Sequence, residues 1–107
     1  MRYALVNPNW TFNRSVYFGC REPHLPLEFG YARQILDSRG HETILIDAHS
    51  ENLSLSQIES RVASFAPDAT VVTTAPTYLF WRCPPPELRV PRELIAKARQ
   101  AAGTTIL

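Results

Sequence analysis

The chain reads as an α/β protein, a three-layer, doubly wound parallel sheet of the Rossmann-like or flavodoxin-like kind. Three observations predict it. Short apolar runs, the later ones rich in β-branched residues, recur along the chain as buried strands do. Amphipathic stretches at helical spacing separate them, and helix-start and helix-stop residues bracket those stretches. Strand and helix therefore alternate from end to end, the order of parallel strands joined by crossover helices.

The first run, residues 3–7, is stopped by Pro8 and reads as a strand opening into a loop. From Glu28, apolar Phe29, Ala32, Ile35 and Leu36 recur at helical spacing, and Gly40 supplies the stop. Residues 43–47 are the second strand. Ser54 opens the second helix: Gln57 completes a capping box, Leu53 is placed to staple onto Ile58, and Ile58, Val62 and Phe65 form the inner stripe. Pro67 and Asp68 end it, and residues 69–74 are the third strand. Pro91 suits the first position of a third helix, with Leu94, Ile95 and Ala98 on its apolar face and Gly103 at its end. A fourth strand runs from Thr104 to Leu107, so the chain is expected to be one domain, 1–107, truncated at its fourth strand and belonging to a longer protein.

A sequence of 107 residues has room for one core, and 45% hydrophobic with 20% charged residues is an ordinary globular composition. Eleven Lys and Arg against ten Asp and Glu leave a net charge of +1, with the basic residues scattered. Nucleic acid is therefore not an expected partner. The apolar runs fall far short of the roughly 20 residues of a membrane span, and the N-terminus enters a strand without a signal-peptide pattern. The expected location is the cytoplasm.

In open α/β sheets, ligands bind outside the carboxyl ends of the strands, where strand order reverses. Two loops are long for that position, residues 8–27 and 75–90, and in a 2-1-3-4 strand order they are neighbours. Trp10, Phe12, Tyr17 and Phe18 lie in the first, and Tyr78, Phe80 and Trp81 in the second. So much aromatic surface either packs as a small core over the sheet ends or faces a flat ligand or a neighbouring domain.

Other chemistries have less support. GxGxxG, GxxxxGK[ST] and GxSxG are all absent, so neither a nucleotide-binding Rossmann site nor a serine hydrolase is indicated. Cys20, His24 and Cys83 offer zinc-type ligands without the usual paired spacing, and Cys20 with His24 makes a nucleophile pair only if Glu22 or Glu28 orients it. No metal site and no catalytic residue is assigned. His41 follows the stop of the first helix, and His49 follows the second strand.

Three segments in order, "ALVNP", "HLPLEFGYARQILDSRGHETILIDA" and "FAPDATVVTTAPT", resemble the N-terminal cobalamin-binding domain of cobalamin-dependent radical S-adenosylmethionine (radical SAM) enzymes. The family's run is an Asn-Pro after the first strand, a Pro-Leu-Gly-like helix start, Gly-His-Glu before the second strand, an acidic residue at its end, and Pro-Asp before the third. The resemblance implies a vitamin B12-binding domain that presents the corrin to a separate C-terminal barrel. That barrel would hold S-adenosylmethionine and a 4Fe-4S cluster through a CxxxCxxC motif this chain does not contain. The parent would be a methyltransferase or cyclase, with this chain alone not catalytic.

Carried onto this sequence, the resemblance implies cofactor contacts from Asn7, Pro8, Trp10, Phe18, His24, Thr73, Thr74, Tyr78 and Trp81. The DxHxxG signature, whose histidine ligates cobalt in other cobalamin proteins, is missing from the first loop; "DAHSEN" imitates its start after the second strand. His24 lies in the right loop without that motif. The alternative is a Rossmann-like interaction module that binds no cofactor.

Overall fold

The structure is a computed structural model that describes residues 1–11, 25–75 and 88–107. Its elements run β1 (Arg2–Asn7), α1 (Leu27–Ser38), β2 (Glu42–Asp47), α2 (Leu55–Phe65), β3 (Ala69–Val72), α3 (Arg89–Ala102) and β4 (Thr105–Ile106). All four strands are parallel, in the order β2-β1-β3-β4. The molecule is thus an α/β fold of the Rossmann-like or flavodoxin-like kind, with a short sheet.

The register explains which residues face which layer. Leu5 of β1 stands between Leu45 of β2 and Val71 of β3, and Val6 between Ile46 and Val72. Because side chains alternate across a strand, Ala4, Val6, Ile46 and Val72 fall on one face, where they pack with Ile58 and Val62 of α2 and Leu94 and Ala98 of α3. Tyr3, Leu5 and Val71 fall on the other, against Phe29, Ala32 and Leu36 of α1. The central strands are apolar on both faces because each face meets a helix.

Local chemistry sets most element ends. The Ser54 hydroxyl accepts from the Gln57 backbone N–H while the Gln57 side chain accepts from the Ser54 N–H, a complete capping box. Leu53 and Ile58 are both buried in the same cluster, as a staple requires. After α1, Gly40 adopts φ 80°, and two backbone bonds, Gly40 N–H to Asp37 and His41 N–H to Leu36, close the helix end as a Schellman motif. Beyond it the His41 ring stands edge-on to Tyr3, with centroids 5.3 Å apart.

Two boundaries differ by two residues from the sequence reading, and one side chain differs in its burial. β3 ends at Val72, so Thr73 and Thr74 lie past the strand. α3 begins at Arg89, two residues before Pro91. The first helical donor is Arg92, whose N–H reaches the Leu88 carbonyl, so the missing N–H of Pro91 falls among donors that have no partner within the helix. Ile35, counted with the inner face of the first helix, is 53% exposed.

Candidate functional site

The site is built at the carboxyl ends of the strands. Strand order reverses between β1 and β3, and the residue that ends β1 is Asn7, only 1% exposed. Its amide nitrogen donates to Asp47 Oδ1 at 2.9 Å, across to the end of β2. Its Oδ1 accepts from the Trp10 indole at 3.1 Å and from the Thr73 hydroxyl at 3.3 Å, just past β3. One side chain therefore links the ends of three strands, which holds them in fixed relation under any group bound above.

The turns on either side continue the same network. Asp47 Oδ1 also accepts from the Ser50 backbone N–H at 3.2 Å, which shapes the turn after β2. Asn9 donates to Asn52 Oδ1 at 3.0 Å and its own Oδ1 accepts from the Thr11 N–H and hydroxyl. Asn52 adopts φ 50°, a left-handed conformation that asparagine accepts more readily than most residues. His49 is buried in the same turn, at 8% exposure.

Asn9 of the same network also borders a cavity of about 340 Å³. Leu53, Leu55 and Ile58 make its apolar wall, with Asn9, Arg89 and Glu93 at polar positions. An apolar wall carrying a few placed polar groups, at the start of two helices, suits a small molecule or one part of a larger one. Among the described residues no three His, Cys, Asp or Glu side chains converge to hold a metal ion. No helix among them is long and apolar enough to cross a membrane.

Of the expected contact residues, Asn7, Trp10 and Thr73 are brought together in one hydrogen-bonded group. Pro8 is wholly buried beside them, and Thr74 follows Thr73 at an exposed position. Trp10 is also wholly buried. Its ring belongs to the packed base of the site, as in the small-core alternative for the loop aromatics, and does not stand as a free wall. Phe18, His24, Tyr78 and Trp81 lie outside the described residues, with Cys20 and Cys83.

Asp47, Asn9, Arg89 and Glu93 were not singled out from the sequence. Asp47 had a signal, an acidic residue closing a buried strand. Arg89 and Glu93 had one too, a charged i, i+4 pair in the first turns of a helix that follows a long loop. No protein-family model, no curated protein and no solved structure matches this chain.

Proposed function

We propose that this chain is a cobalamin-binding domain, which holds the corrin over the carboxyl ends of β1 and β3 and presents it to a radical SAM barrel carrying S-adenosylmethionine and a 4Fe-4S cluster. The observation that carries the reading is the order β2-β1-β3-β4, which puts the reversal of strand order where Asn7 and Thr73 meet. Ligands of open α/β sheets bind at that place. The ordered resemblance of three sequence segments supports cobalamin as that ligand.

The described residues are compatible with such a group. A corrin brings its own equatorial cobalt ligands, so the protein must supply shape, apolar wall and a few hydrogen bonds, which is what the cavity beside Leu53, Leu55 and Ile58 offers. At about 340 Å³ it accepts only part of so large a cofactor. When bound, the corrinoid supplies cobalt-centred alkyl-transfer or radical chemistry. Asn7 and Thr73 hold the strand ends on which it would rest, Asn9 braces the loop after β1 against Asn52 and Leu53, and Arg89 in the cavity wall can donate to its polar periphery.

The test is co-elution of the cobalamin absorption band with the protein on gel filtration, measured for the native chain and for Leu55→Arg. Retention by the native chain and loss in the variant, with unchanged circular dichroism, is the expected result. No retention at millimolar cobalamin removes the ligand from the proposal.

A second reading, an interaction module without cofactor, is favoured by the wholly buried Trp10 and its bond to Asn7. It requires the loop after β1 to gain hydrogen-exchange protection from the barrel domain alone. Protection that appears only when cobalamin is added argues for the first reading.

A further inference from the structure

Asp47 ends β2 with more acceptor capacity than the fold uses. One carboxylate oxygen, Oδ1, takes both of its side-chain hydrogen bonds, from the Asn7 amide at 2.9 Å and from the Ser50 backbone N–H at 3.2 Å. Those bonds hold the carboxylate against the neighbouring strand and against the turn that follows. The other oxygen, Oδ2, accepts from no described residue, and it is not closed off from solvent. Among the described residues no Lys or Arg forms an ion pair with Asp47.

A structural role does not need that second oxygen. An asparagine would offer the Asn7 amide and the Ser50 N–H the same carbonyl acceptor, without placing a charge at a half-buried position. What the carboxylate adds is a second acceptor, negatively charged and fixed in place. Asn7 and Asp47 are register partners on adjacent strands, so this acceptor belongs to a residue about 4.8 Å, one strand spacing, from the strand at which the order reverses.

The chemistry of the group says what it can recognise. An ionised carboxylate accepts hydrogen bonds and donates none, so the ligand atom that matches it carries an N–H or O–H. An anionic group brought to the same place is repelled, which makes the contact selective as well as attractive.

We propose that Asp47 Oδ2 is a specificity contact for the corrin, accepting from the N–H of one of the neutral carboxamides on its rim and rejecting a carboxylate in that position. The inference rests on the cobalamin reading and deepens it, by assigning one side chain and one class of ligand group to each other.

Asp47→Asn tests it, because the asparagine carbonyl keeps the bonds from Asn7 and Ser50 while an NH2 donor replaces the free acceptor. Binding constants are measured by absorption titration with cobalamin, with cobinamide, which has the rim amides and no nucleotide, and with the cobalamin monocarboxylic acids, in which one rim amide is hydrolysed. Circular dichroism and the urea midpoint are expected to stay near native. The variant should bind cobalamin and cobinamide each about tenfold more weakly than the native chain does, and should bind one of the monocarboxylic acids more tightly. The native chain itself should bind at least one monocarboxylic acid about tenfold more weakly than cobalamin; equal binding of all of them overturns the inference whatever the variant does. A loss shared by every ligand, without the reversal, marks a structural role and overturns it too. Equal affinity of native and variant chains for cobalamin overturns the inference and leaves the cobalamin reading standing. So does a loss confined to cobalamin with cobinamide unaffected, which moves the contact to the nucleotide. A native chain that binds none of these corrinoids removes the cobalamin reading, and this inference with it.

Discussion

The Thr73 hydroxyl donates to Asn7 Oδ1 at 3.3 Å, which joins the ends of β1 and β3 across the reversal of strand order. The same Asn7 reaches Asp47 at the end of β2. Any group held at the carboxyl edge of this sheet rests on a base whose three strand ends move together.

That base is expected to respond to charge. Asn7→Ala should cost about 1–3 kcal/mol, because it removes the acceptor of the buried Trp10 indole and one of the two donors to Asp47 Oδ1. Asn7→Asp is more informative. The introduced carboxyl meets Asp47 at the 2.9 Å separation of the present hydrogen bond, and two like charges there raise the pKa of the introduced group in the folded state. The folded protein then binds that proton more tightly than the unfolded chain, whose carboxyl titrates near about 3.9. Stability relative to the native chain should therefore fall as pH rises from that value through the raised one. Urea midpoints across that interval check it; a difference that does not change with pH refutes the charge argument.

Trp10 is expected to matter first for folding. A wholly buried Trp replaced by Ala should cost about 3–5 kcal/mol, a large share of the roughly 5–15 kcal/mol that holds a domain of this kind together. Trp10→Phe keeps one aromatic ring but removes the pyrrole half with its N–H donor to Asn7, and should cost about 2–3 kcal/mol. Thermal unfolding separates the two. Only the milder variant is suited to a cobalamin-retention assay, since loss of binding by Trp10→Ala would report loss of the fold.

What could be read from sequence was what neighbours along the chain decide. The capping box of Ser54 and Gln57, the stop at Gly40 and the end of β1 at Asn7-Pro8 each depend on residues a few positions apart, and the structure has them all. Features set by distant residues were not legible. Thr73 and Thr74 are as β-branched as the strand before them, but β3 pairs with β1 only as far as Val72, opposite Val6. The bond from Asn7 to Asp47 spans 40 residues and follows from register alone. In α1, two apolar stripes lie next to each other, Phe29-Ala32-Leu36 and Leu27-Tyr31-Ile35; spacing does not say which of them faces the sheet.

Ala66 is a site where a small change should stabilise. It ends α2 in the left-handed region, at φ 48° and ψ 63°, with its N–H bonded to the Val62 carbonyl. A Cβ there clashes with the backbone, and glycine does not have one. Ala66→Gly should therefore raise stability by about 0.5–1 kcal/mol, a net value after the greater freedom of glycine in the unfolded chain. Gly103→Ala is the mirror control. It ends α3 at φ 60° with no atom within 4 Å of a built Cβ, so a loss of about 1 kcal/mol there comes from backbone strain alone. Urea denaturation of both variants checks the pair; loss of stability in Ala66→Gly would show that the strain is relieved in some other way.

Thr70 and Thr104 offer a test of pairing inside the core. Their hydroxyls lie 3.1 Å apart, at 0% and 5% exposure, between β3 and the end of the α3 crossover. Thr104 Oγ1 also donates to the Thr105 carbonyl at 3.4 Å, which makes Thr70 the donor within the pair. Thr104→Val then removes the acceptor and leaves a buried donor alone, at a cost of about 1–3 kcal/mol. Thr70→Val leaves Thr104 with its bond to the backbone and should cost less. Replacing both by Val removes donor and acceptor together, so the double variant should be more stable than the sum of the single losses predicts, with a coupling of about 1 kcal/mol. A double-mutant cycle on urea midpoints measures that coupling. Strict additivity would mean that the two hydroxyls contribute separately and that the 3.1 Å contact adds nothing to the joining of β3 and β4.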